Sequence, residues 1–522
     1  MTGPSRLTRL CVEMLAGYVG LFLTLHWPFR ERVLGVLGVL PGYLPAALPP
    51  HPLRWLATAL GLPEDTITQV AFVLVVALLF TAYLRALALL HEGVPLERRV
   101  LLGRTVLFGL PLLITPFMLS SDIFSYIVYG RLAAVHGLNP TVIPPSAVPS
   151  DPFLAFLPHW QGTPSVYGPL WNMLGAGAAL LAQSLGGAVW LTLLLFKLLT
   201  LGLHLASAAL IWSIAGHWWP ERRAWAAALY AWNPLALVET ASSGHNDMLM
   251  VALLLLGVWL AQRGRWRTAT LAFTLAALSK YFAVLVLPVY AILLLRNQAS
   301  WRARLAVGAQ MAGLALVCTA ALYAPFWDGG RTLWWLSGGT AVNQALNSPY
   351  MLTERVLPPL LGWMGFAADV PAAQLAAGIN GPLSRLTMLV ACLVACAAVW
   401  HRPSFERFVQ SCFGMLLAIL LLGLPWFWPW YVLWGLALAP FAGWRPARLA
   451  ALLLSASSLA IYLDIAPRPL FVFGPPLGLL LVAGTQALLQ RWRASAAGPL
   501  IHTAQAGGTG AVRPPPNKRP SP

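Results

Sequence analysis

The chain has 522 residues, of which 59% are hydrophobic and only 9% are charged, and its formal net charge is +17. A soluble domain carries about 25% charged residues, so the composition excludes an ordinary soluble fold and indicates a protein that crosses a membrane many times. The positive charge does not indicate a nucleic-acid partner, because the arginines form short clusters between apolar runs. That arrangement is typical of cytoplasmic loops.

The apolar runs predict an all-α fold, a polytopic transmembrane helix bundle of about 14 spans, within a range of roughly 11–15. Several runs are short for a full crossing, so we expect broken or tilted helices among them. The bundle is predicted over residues 1–493, and the Gly-, Ala- and Pro-rich segment 494–522 is predicted to be a disordered cytoplasmic tail. The predicted spans, in chain order, are 10–27, 69–91, 101–119, 188–214, 224–240, 245–261, 268–279, 281–296, 305–326, 385–400, 409–424, 430–443, 449–464 and 470–490.

The distribution of charged residues assigns the loops to the two sides of the membrane. Arginine clusters, such as Arg263, Arg265 and Arg267, mark cytoplasmic turns. All seven aspartates then fall on or beside the opposite, outer side: Asp65, Asp122, Asp151, Asp247, Asp328, Asp369 and Asp464. Large outer loops are predicted at about 120–187, after the third span, and at about 327–384. Residues 170–186 are apolar, but a crossing there would reverse the later loops, so we expect a helix in the outer interface.

The first candidate site is "SSDIFSYIVYGRLAAVHGLNP", which begins at Ser120. Asp122, Tyr126 and Tyr129 are spaced i, i+4, i+7 and therefore share one helical face. One hypothesis is that Asp122 is a general base at the membrane surface, where partial burial raises its pKa. The alternative is that Asp122 only caps the helix.

The second candidate site is "SSGHNDMLM", where His245, Asn246 and Asp247 begin a predicted span whose other end is cytoplasmic. Glu239 ends the preceding span, so these polar groups are expected to meet on the outer side. They could bind a polar ligand, or Asn246 or Asp247 could simply cap the helix. Their residue types would also suit a divalent metal, but the spacing is not that of a recognised ligand set, so no metal is expected.

The third candidate is Lys280 in "ALSKYFAVLVLPVY", one of three lysines in the chain. It lies between two short apolar runs that both return to arginine-rich turns, which predicts a hairpin with Lys280 near its outer apex. A cation within a membrane is costly and needs an anionic partner. Two hypotheses remain: a structural pair with Glu239 or Asp247, or the binding of a phosphate.

Two further segments carry polar or aromatic groups on the predicted outer side. "LPWFWPWYVLW", Leu424 to Trp434, is typical of an interfacial tryptophan belt, with a sugar-stacking surface or a lipid groove as alternatives. "DIAPRP" places Arg468 as a second phosphate candidate. No Walker A motif and no D-x-D triplet occur, and the five cysteines fall in apolar runs, which favours neither a disulfide framework nor a zinc site.

Four strings, in order, resemble the GT-C class of integral-membrane glycosyltransferases, and most of all the polyprenol-phosphate-mannose-dependent α-1,6-mannosyltransferases. They are "SDIFSYIVYGRLAAVHGLNP", "YGPLW", "WNPLALVETASSGHNDMLMVALLLLG" and "ALSKYFAVLVLPVY", within about residues 100–300. The resemblance implies transfer of a hexose, mannose by resemblance alone, from a polyprenyl-phosphate donor to a glycan or glycolipid acceptor. It implies an active site on the extracytoplasmic side of the cell membrane. The residue pattern itself gives no reason to expect a cofactor.

The same resemblance makes Asp122 the matching catalytic base. A departing phosphate needs a cation, so Lys280, with Arg468 or His245, is the expected phosphate partner. Asp247 is expected to orient His245 or bind sugar hydroxyls. The substrate-binding residues we predict are Tyr126, Tyr129, Arg131, His245, Asn246, Asp247, Lys280 and Arg468. The rival interpretations are a secondary transporter or lipid flippase, to which short broken spans and an intramembrane lysine are also suited, and a non-catalytic assembly subunit.

Overall fold

The computed structural model describes most of the chain, and it is helical almost throughout. The described residues are 2–25, 53–115, 119–157, 159–337, 345–363, 372–463 and 465–496. Across these ranges the elements are helices, with two isolated β-bridges and no strand. The predicted all-α fold class is therefore confirmed. The predicted tail 494–522 lies outside the described residues from 497 onward, as do segments 338–344 and 364–371 of the predicted second outer loop.

The α-helices of the first half frame two irregular stretches, 135–168 and 243–246. They are Gly3–Leu25, Arg54–Leu60, Glu64–His91, Arg98–Ile114, Asp122–Ala134, Pro169–Ser184, Val189–Trp218, Arg223–Ala231, Pro234–Leu237 and Asp247–Gln262.

The α-helices of the second half are joined by several short 3-10 turns and one π-turn. They are Trp266–Ser279, Val286–Arg296, Trp301–Tyr323, Met351–Trp363, Ala372–His401, Phe405–Ala418, Val432–Leu436, Arg445–Ser457 and Arg468–Ala496.

Seven helical segments in the described ranges are long and apolar enough to cross a membrane, and a sharply bent pair makes up to eight. The seven are Gly3–Thr24, Glu64–His91, Val189–Trp218, Trp301–Phe326, Gly378–His401, Phe405–Gly423 and Arg468–Gln490. A multi-span bundle is therefore supported. The count of about 14 spans and the orientation of the bundle stay predictions.

The predicted span 224–240 is not one helix. A helix ends at Ala231, a new one begins at Pro234, and the last residues, Val238–Ser242, form a π-turn. Proline has no N–H to continue the helical ladder, and the Asn233 side chain accepts a hydrogen bond from Ala236 N instead, which caps the new helix. The segment then bends by 120° into the helix that begins at Asp247.

The predicted span 430–443 is also not one helix. Short helical turns at Pro429–Tyr431, Val432–Leu436 and Ala439–Phe441 replace it. Pro429 and Pro440 stand at or next to the first residue of two of these turns, where a missing N–H costs little. The result is a compact, irregular segment that packs into the core of the bundle.

Residues 170–186, predicted to be an interfacial helix, form the helix Pro169–Ser184, which packs against Asp122–Ala134. A Cβ added at Gly130 would lie 2.4 Å from the carbonyl oxygen of Gly175, so glycine is needed where the two backbones touch. The two helices enclose a second hydrophobic core that includes Ile123 and Trp171. The position of Pro169–Ser184 relative to the membrane stays a prediction.

We expect Gly130→Ala to destabilise the protein, because its methyl group would meet backbone that cannot move aside. Overpacking of this kind costs about 1–3 kcal/mol. The matched control is Gly177→Ala, in the partner helix, where an added Cβ would meet nothing within 4 Å. Thermal unfolding of the purified protein in detergent should show a lower midpoint for the first variant and an unchanged or higher one for the second. Equal midpoints would contradict the close crossing.

Candidate functional site

Five ionisable side chains from separate segments of the chain meet in one place, and we call them the ionisable cluster. Its members are Asp122, Glu239, His245, Asp247 and Lys280. Ion-pair contacts link Asp122, Glu239 and His245 into one group, and Asp247 to Lys280 into another. The two groups are joined at the turn 245–247. The sequence prediction that these residues share one end of the bundle is consistent with this geometry.

Asp122 is the first residue of its helix, and it does not act as the helix cap. Ser121 occupies the cap position and makes no side-chain capping bond, while Ser120 Oγ accepts a hydrogen bond from the backbone N–H of Asp122. In the described part of the chain, no hydrogen bond reaches the Asp122 carboxylate. The interpretation of Asp122 as a capping residue alone is therefore wrong, and its carboxylate is left available.

The groups around Asp122 have opposing effects on its pKa. Burial raises the pKa of Asp122 above its usual range, while the nearby His245 and Lys280 act to lower it. Asp247 and Glu239 add to the upward shift, because a second negative charge disfavours ionisation. The balance gives a carboxyl group that takes a proton more readily than a solvated aspartate does.

His245 lies in a sharp turn between the π-turn and the next helix. The turn requires Gly244, whose φ is +65°, and whose added Cβ would come within 2.8 Å of the Ile123 side chain. The imidazole is fully buried and stacks on Trp430, with ring centroids 3.8 Å apart. Its Nδ1 lies 3.3 Å from the Tyr126 hydroxyl and 4.0 Å from Asp122 Oδ2.

Lys280 forms its ion pair with Asp247, not with Glu239. Lys280 Nζ donates to Asp247 Oδ1 over 2.7 Å, and Trp434 Nε1 donates to the same oxygen over 2.5 Å. The ammonium also lies over the Tyr431 ring, 4.5 Å from its centroid, a distance at which a cation is attracted to the ring face. The structural pair that the sequence left open is thus present.

Glu239 takes the place beside His245 that Asp247 was expected to hold. Its Oε2 lies 3.3 Å from His245 Nε2, and its Oε1 accepts a hydrogen bond from the Tyr462 hydroxyl over 2.8 Å. Asp247 has no such contact with His245 in the described structure. Glu239 was noted in the sequence at this junction but was not among the predicted site residues; its signal was a carboxylate in an otherwise apolar run.

Exposure separates the cluster into two layers. The side chains of Asp122 and Lys280 are 28% and 16% exposed, whereas those of Glu239, His245 and Asp247 are fully buried. Asp122 and Lys280 are therefore the members of the cluster that solvent reaches. The buried residues support the two exposed groups from behind.

Two predicted binding residues support the cluster or the adjoining loop. The Tyr126 hydroxyl donates to Asn246 Oδ1 over 3.3 Å, so Tyr126 and the buried Asn246 lie beside His245. Tyr129, one turn further along the same helix, donates to the carbonyl oxygen of Thr163 over 2.8 Å. The predicted shared face is therefore divided between the cluster and the loop 135–168.

The two predicted arginine sites contact other parts of the fold. Arg131 is buried in an ion pair with Asp151, 2.9 Å away, and also donates to Gln183 Oε1, which joins the loop to the Pro169–Ser184 helix. Arg468 Nε donates to the carbonyl oxygen of Leu463 over 3.2 Å. Asp464, its neighbour in "DIAPRP", lies outside the described residues.

The aromatic segment was expected to form an interfacial belt or a ligand surface, and part of it belongs to the site. Trp430 stacks on His245, Trp434 donates to Asp247, and Tyr431 faces Lys280. The sequence signal was the density of tryptophan in "LPWFWPWYVLW", but nothing in it indicated which rings turn inward.

Within the described ranges, no three His, Cys, Asp or Glu side chains are arranged to hold a metal ion. The expectation of no metal stays a prediction.

Comparison with known proteins assigns the family. The family model described as "Alpha-(1->6)-mannopyranosyltransferase, N-terminal domain" matches residues 32–296, which include the whole ionisable cluster. Alpha-(1->6)-mannopyranosyltransferase A of Mycobacterium tuberculosis is 28% identical over 393 residues, covering 70% of this chain and 72% of the relative.

Two other relatives give the same picture. Alpha-(1->6)-mannopyranosyltransferase Rv1459c of M. tuberculosis is 25% identical over 418 residues, covering 66% of each chain. A probable alpha-(1->6)-mannopyranosyltransferase of Mycolicibacterium smegmatis is 33% identical over 168 residues, covering 30% of this chain and 28% of the relative. No solved structure matches. Because the family model covers half of the chain, the chain belongs to the alpha-(1->6)-mannopyranosyltransferase family.

Proposed function

We propose that the protein transfers a mannosyl unit from a polyprenyl-phosphate donor to a glycan or glycolipid acceptor at the extracytoplasmic face of the cell membrane. The observation that carries the proposal is the exposed pair, Asp122 and Lys280, in front of a fully buried set of charges. Family membership supports mannosyl transfer, and the apolar helices support a membrane-bound substrate. The charge pattern of the loops supports the extracytoplasmic side.

Asp122 is the general base of the proposed reaction. The acceptor hydroxyl attacks the anomeric carbon of the sugar, Asp122 takes the hydroxyl proton, and the bond between that carbon and the phosphate oxygen breaks. A polyprenyl phosphate leaves as a stable anion, so no strong acid is required on that side. One carboxylate and one cation are enough, which resembles the roles of base and leaving group in inverting glycoside hydrolysis.

Lys280 stabilises the departing phosphate. An ammonium group has three N–H donors, and Asp247 accepts one of them. Asp247, Tyr431 and Trp434 hold the ammonium in place, so it is positioned before the substrate arrives. A cation that is preorganised in this way stabilises developing negative charge without reorganising during the reaction.

The bent helix pair and Lys280 also suit a transporter or flippase, the rival interpretation. Membership of a transferase family favours the enzyme.

The direct test of the proposed function is a product assay on the purified protein, with radiolabelled polyprenyl-phosphate mannose and a mannan-type acceptor. Transfer from the lipid donor is expected, and none from nucleotide-activated mannose. Transfer from the nucleotide sugar alone would overturn the proposed donor class.

We expect Asp122→Asn to abolish most of the transferase activity. The amide cannot accept the proton, and loss of a general base lowers the rate by about 10²–10⁴-fold. The matched control is Asp328→Asn, an exposed aspartate that pairs with Arg331 and lies outside the cluster. Initial rates of product formation, at equal amounts of folded protein, compare the two. Full activity of the Asp122 variant would remove the residue from the role of base.

We expect Lys280→Met to weaken donor use more than Arg468→Gln, which distinguishes the two predicted phosphate partners. Loss of a charge-assisted hydrogen bond costs about 1.5–3 kcal/mol, which corresponds to a decrease in kcat/KM for the donor of about 10–100-fold. Steady-state kinetics with varied donor lipid measure this. A larger loss in the Arg468 variant would move the phosphate site towards that residue.

A further inference from the structure

His245 lies between two carboxylates, and each of its ring nitrogens faces an oxygen. Nε2 is 3.3 Å from Glu239 Oε2, and Nδ1 is 4.0 Å from Asp122 Oδ2 and 3.3 Å from the Tyr126 hydroxyl. The Tyr126 hydroxyl donates to Asn246 Oδ1, so its oxygen is left to accept a hydrogen bond from Nδ1. A neutral imidazole has one N–H, whereas both nitrogens of an imidazolium are donors.

An ionised Glu239 needs a positive charge nearby. Its side chain is fully buried, and within the described structure Glu239 Oε2 and His245 Nε2 have no aligned hydrogen-bond partner. A buried carboxylate is costly unless it is paired. Lys280 is already bound to Asp247, so the ring of His245, at ion-pair distance, is the group that meets this requirement.

The remaining neighbours favour the same protonation state. Trp430 stacks on the imidazole, and a cation is attracted to the face of an indole. The charged groups of the cluster are three carboxylates, Lys280 and His245, so a proton on His245 reduces the net charge from −2 to −1. The uncharged polar groups around it are the hydroxyls of Tyr126 and Tyr462 and the Asn246 amide. Asp122 also interacts with Tyr167 and Tyr431, through the electrostatic effect of the carboxylate on both phenols.

We propose that Glu239 is a positioning residue that keeps His245 protonated, and that the His245 imidazolium in turn holds Asp122 ionised and ready to act as base. The inference rests on the proposed function, because it assigns Asp122 that role. Glu239 itself does not touch the reacting atoms. The proton of the acceptor hydroxyl passes to Asp122 and then to water, and the proton on His245 stays in place throughout.

The direction of the effect follows from the charges around Asp122. Burial raises the pKa of Asp122, and His245 is the first of the groups that oppose this shift. Loss of the imidazolium therefore raises the pKa of Asp122 further, so Asp122 loses its base form at a higher pH. Loss of the Glu239 charge acts on Asp122 directly in the opposite sense, but more weakly than His245 does. If His245 loses its proton when Glu239 is removed, the net result is an upward shift of the pKa of Asp122.

The test is the pH dependence of kcat/KM for the acceptor, measured for wild type, Glu239→Gln, Glu239→Asp and His245→Gln. In Glu239→Gln and His245→Gln, the midpoint of the acid limb of the profile should move to higher pH by about one unit or more. Glu239→Asp keeps the charge and should restore the wild-type limb. The surface control Glu97→Gln, which pairs with Arg99, should leave the limb unchanged.

The double variant Glu239→Gln/His245→Gln separates a positioning role from a structural one. If Glu239 acts through His245, the double variant shifts the limb no further than His245→Gln alone. Additive shifts, or an active Glu239→Gln enzyme with the wild-type limb, would overturn the inference. A purely structural role would lower activity at every pH and leave the limb in place. If Glu239→Gln does not fold, His245→Gln and Glu239→Asp still decide, because a wild-type limb in His245→Gln also overturns the inference.

The outcomes distinguish this inference from the proposed function. If the wild-type protein transfers no mannose from the lipid donor, the proposed function fails before any variant is measured. If the wild type is active and Asp122→Asn is not, the proposed base is supported, and the position of the acid limb in the Glu239 and His245 variants decides the inference alone.

Discussion

Pairing of buried charge is the constraint on which this site depends. Glu239, His245 and Asp247 are fully buried in a chain that is mostly apolar, and a buried charge needs an opposite charge within a few ångströms. The Lys280–Asp247 and His245–Glu239 contacts meet this need. Because the fully buried groups contact one another, the partly exposed Asp122 and Lys280 are the members that solvent reaches. The electrostatic requirements of the interior therefore determine which groups are available for chemistry.

Backbone irregularity makes this arrangement possible. Polar residues collect where helices are interrupted: at the π-turn that contains Glu239, at the Gly244 turn before His245, and at Lys280, where a helix ends after Ser279. In a membrane, irregular backbone is tolerated where protein surrounds it. The backbone of Gly168 packs tightly against the helix end before Lys280. A Cβ added at Gly168 would lie 2.0 Å from the carbonyl oxygen of Leu278. The "YGPLW" segment thus rests directly against the helix end that precedes Lys280.

The aromatic segment shows how one composition serves two purposes. Tryptophan density is typical of a membrane interface, and tryptophans elsewhere in this protein are exposed, such as Trp55, Trp301 and Trp363. Trp430 and Trp434, however, are buried against His245 and Asp247. A buried indole N–H needs an acceptor, and a buried cation gains from an aromatic face, so the same residue type suits the inside of a charged site.

The sequence by itself determined the all-α class, the family resemblance and the grouping of Asp122, His245, Asp247 and Lys280, because hydropathy, charge clusters and motifs are local signals. It did not determine which charges pair. Lys280 binds Asp247 and not Glu239, Glu239 faces His245, and Arg131 binds Asp151 because of where the helices cross and how sharply the chain bends at 243–246. The predictions of a single helix over 224–240 and over 430–443 were wrong for a related reason, because hydropathy does not show where a proline interrupts a helix. Only the tertiary structure decided the partners, since they lie up to 223 residues apart, as Tyr462 and Glu239 do.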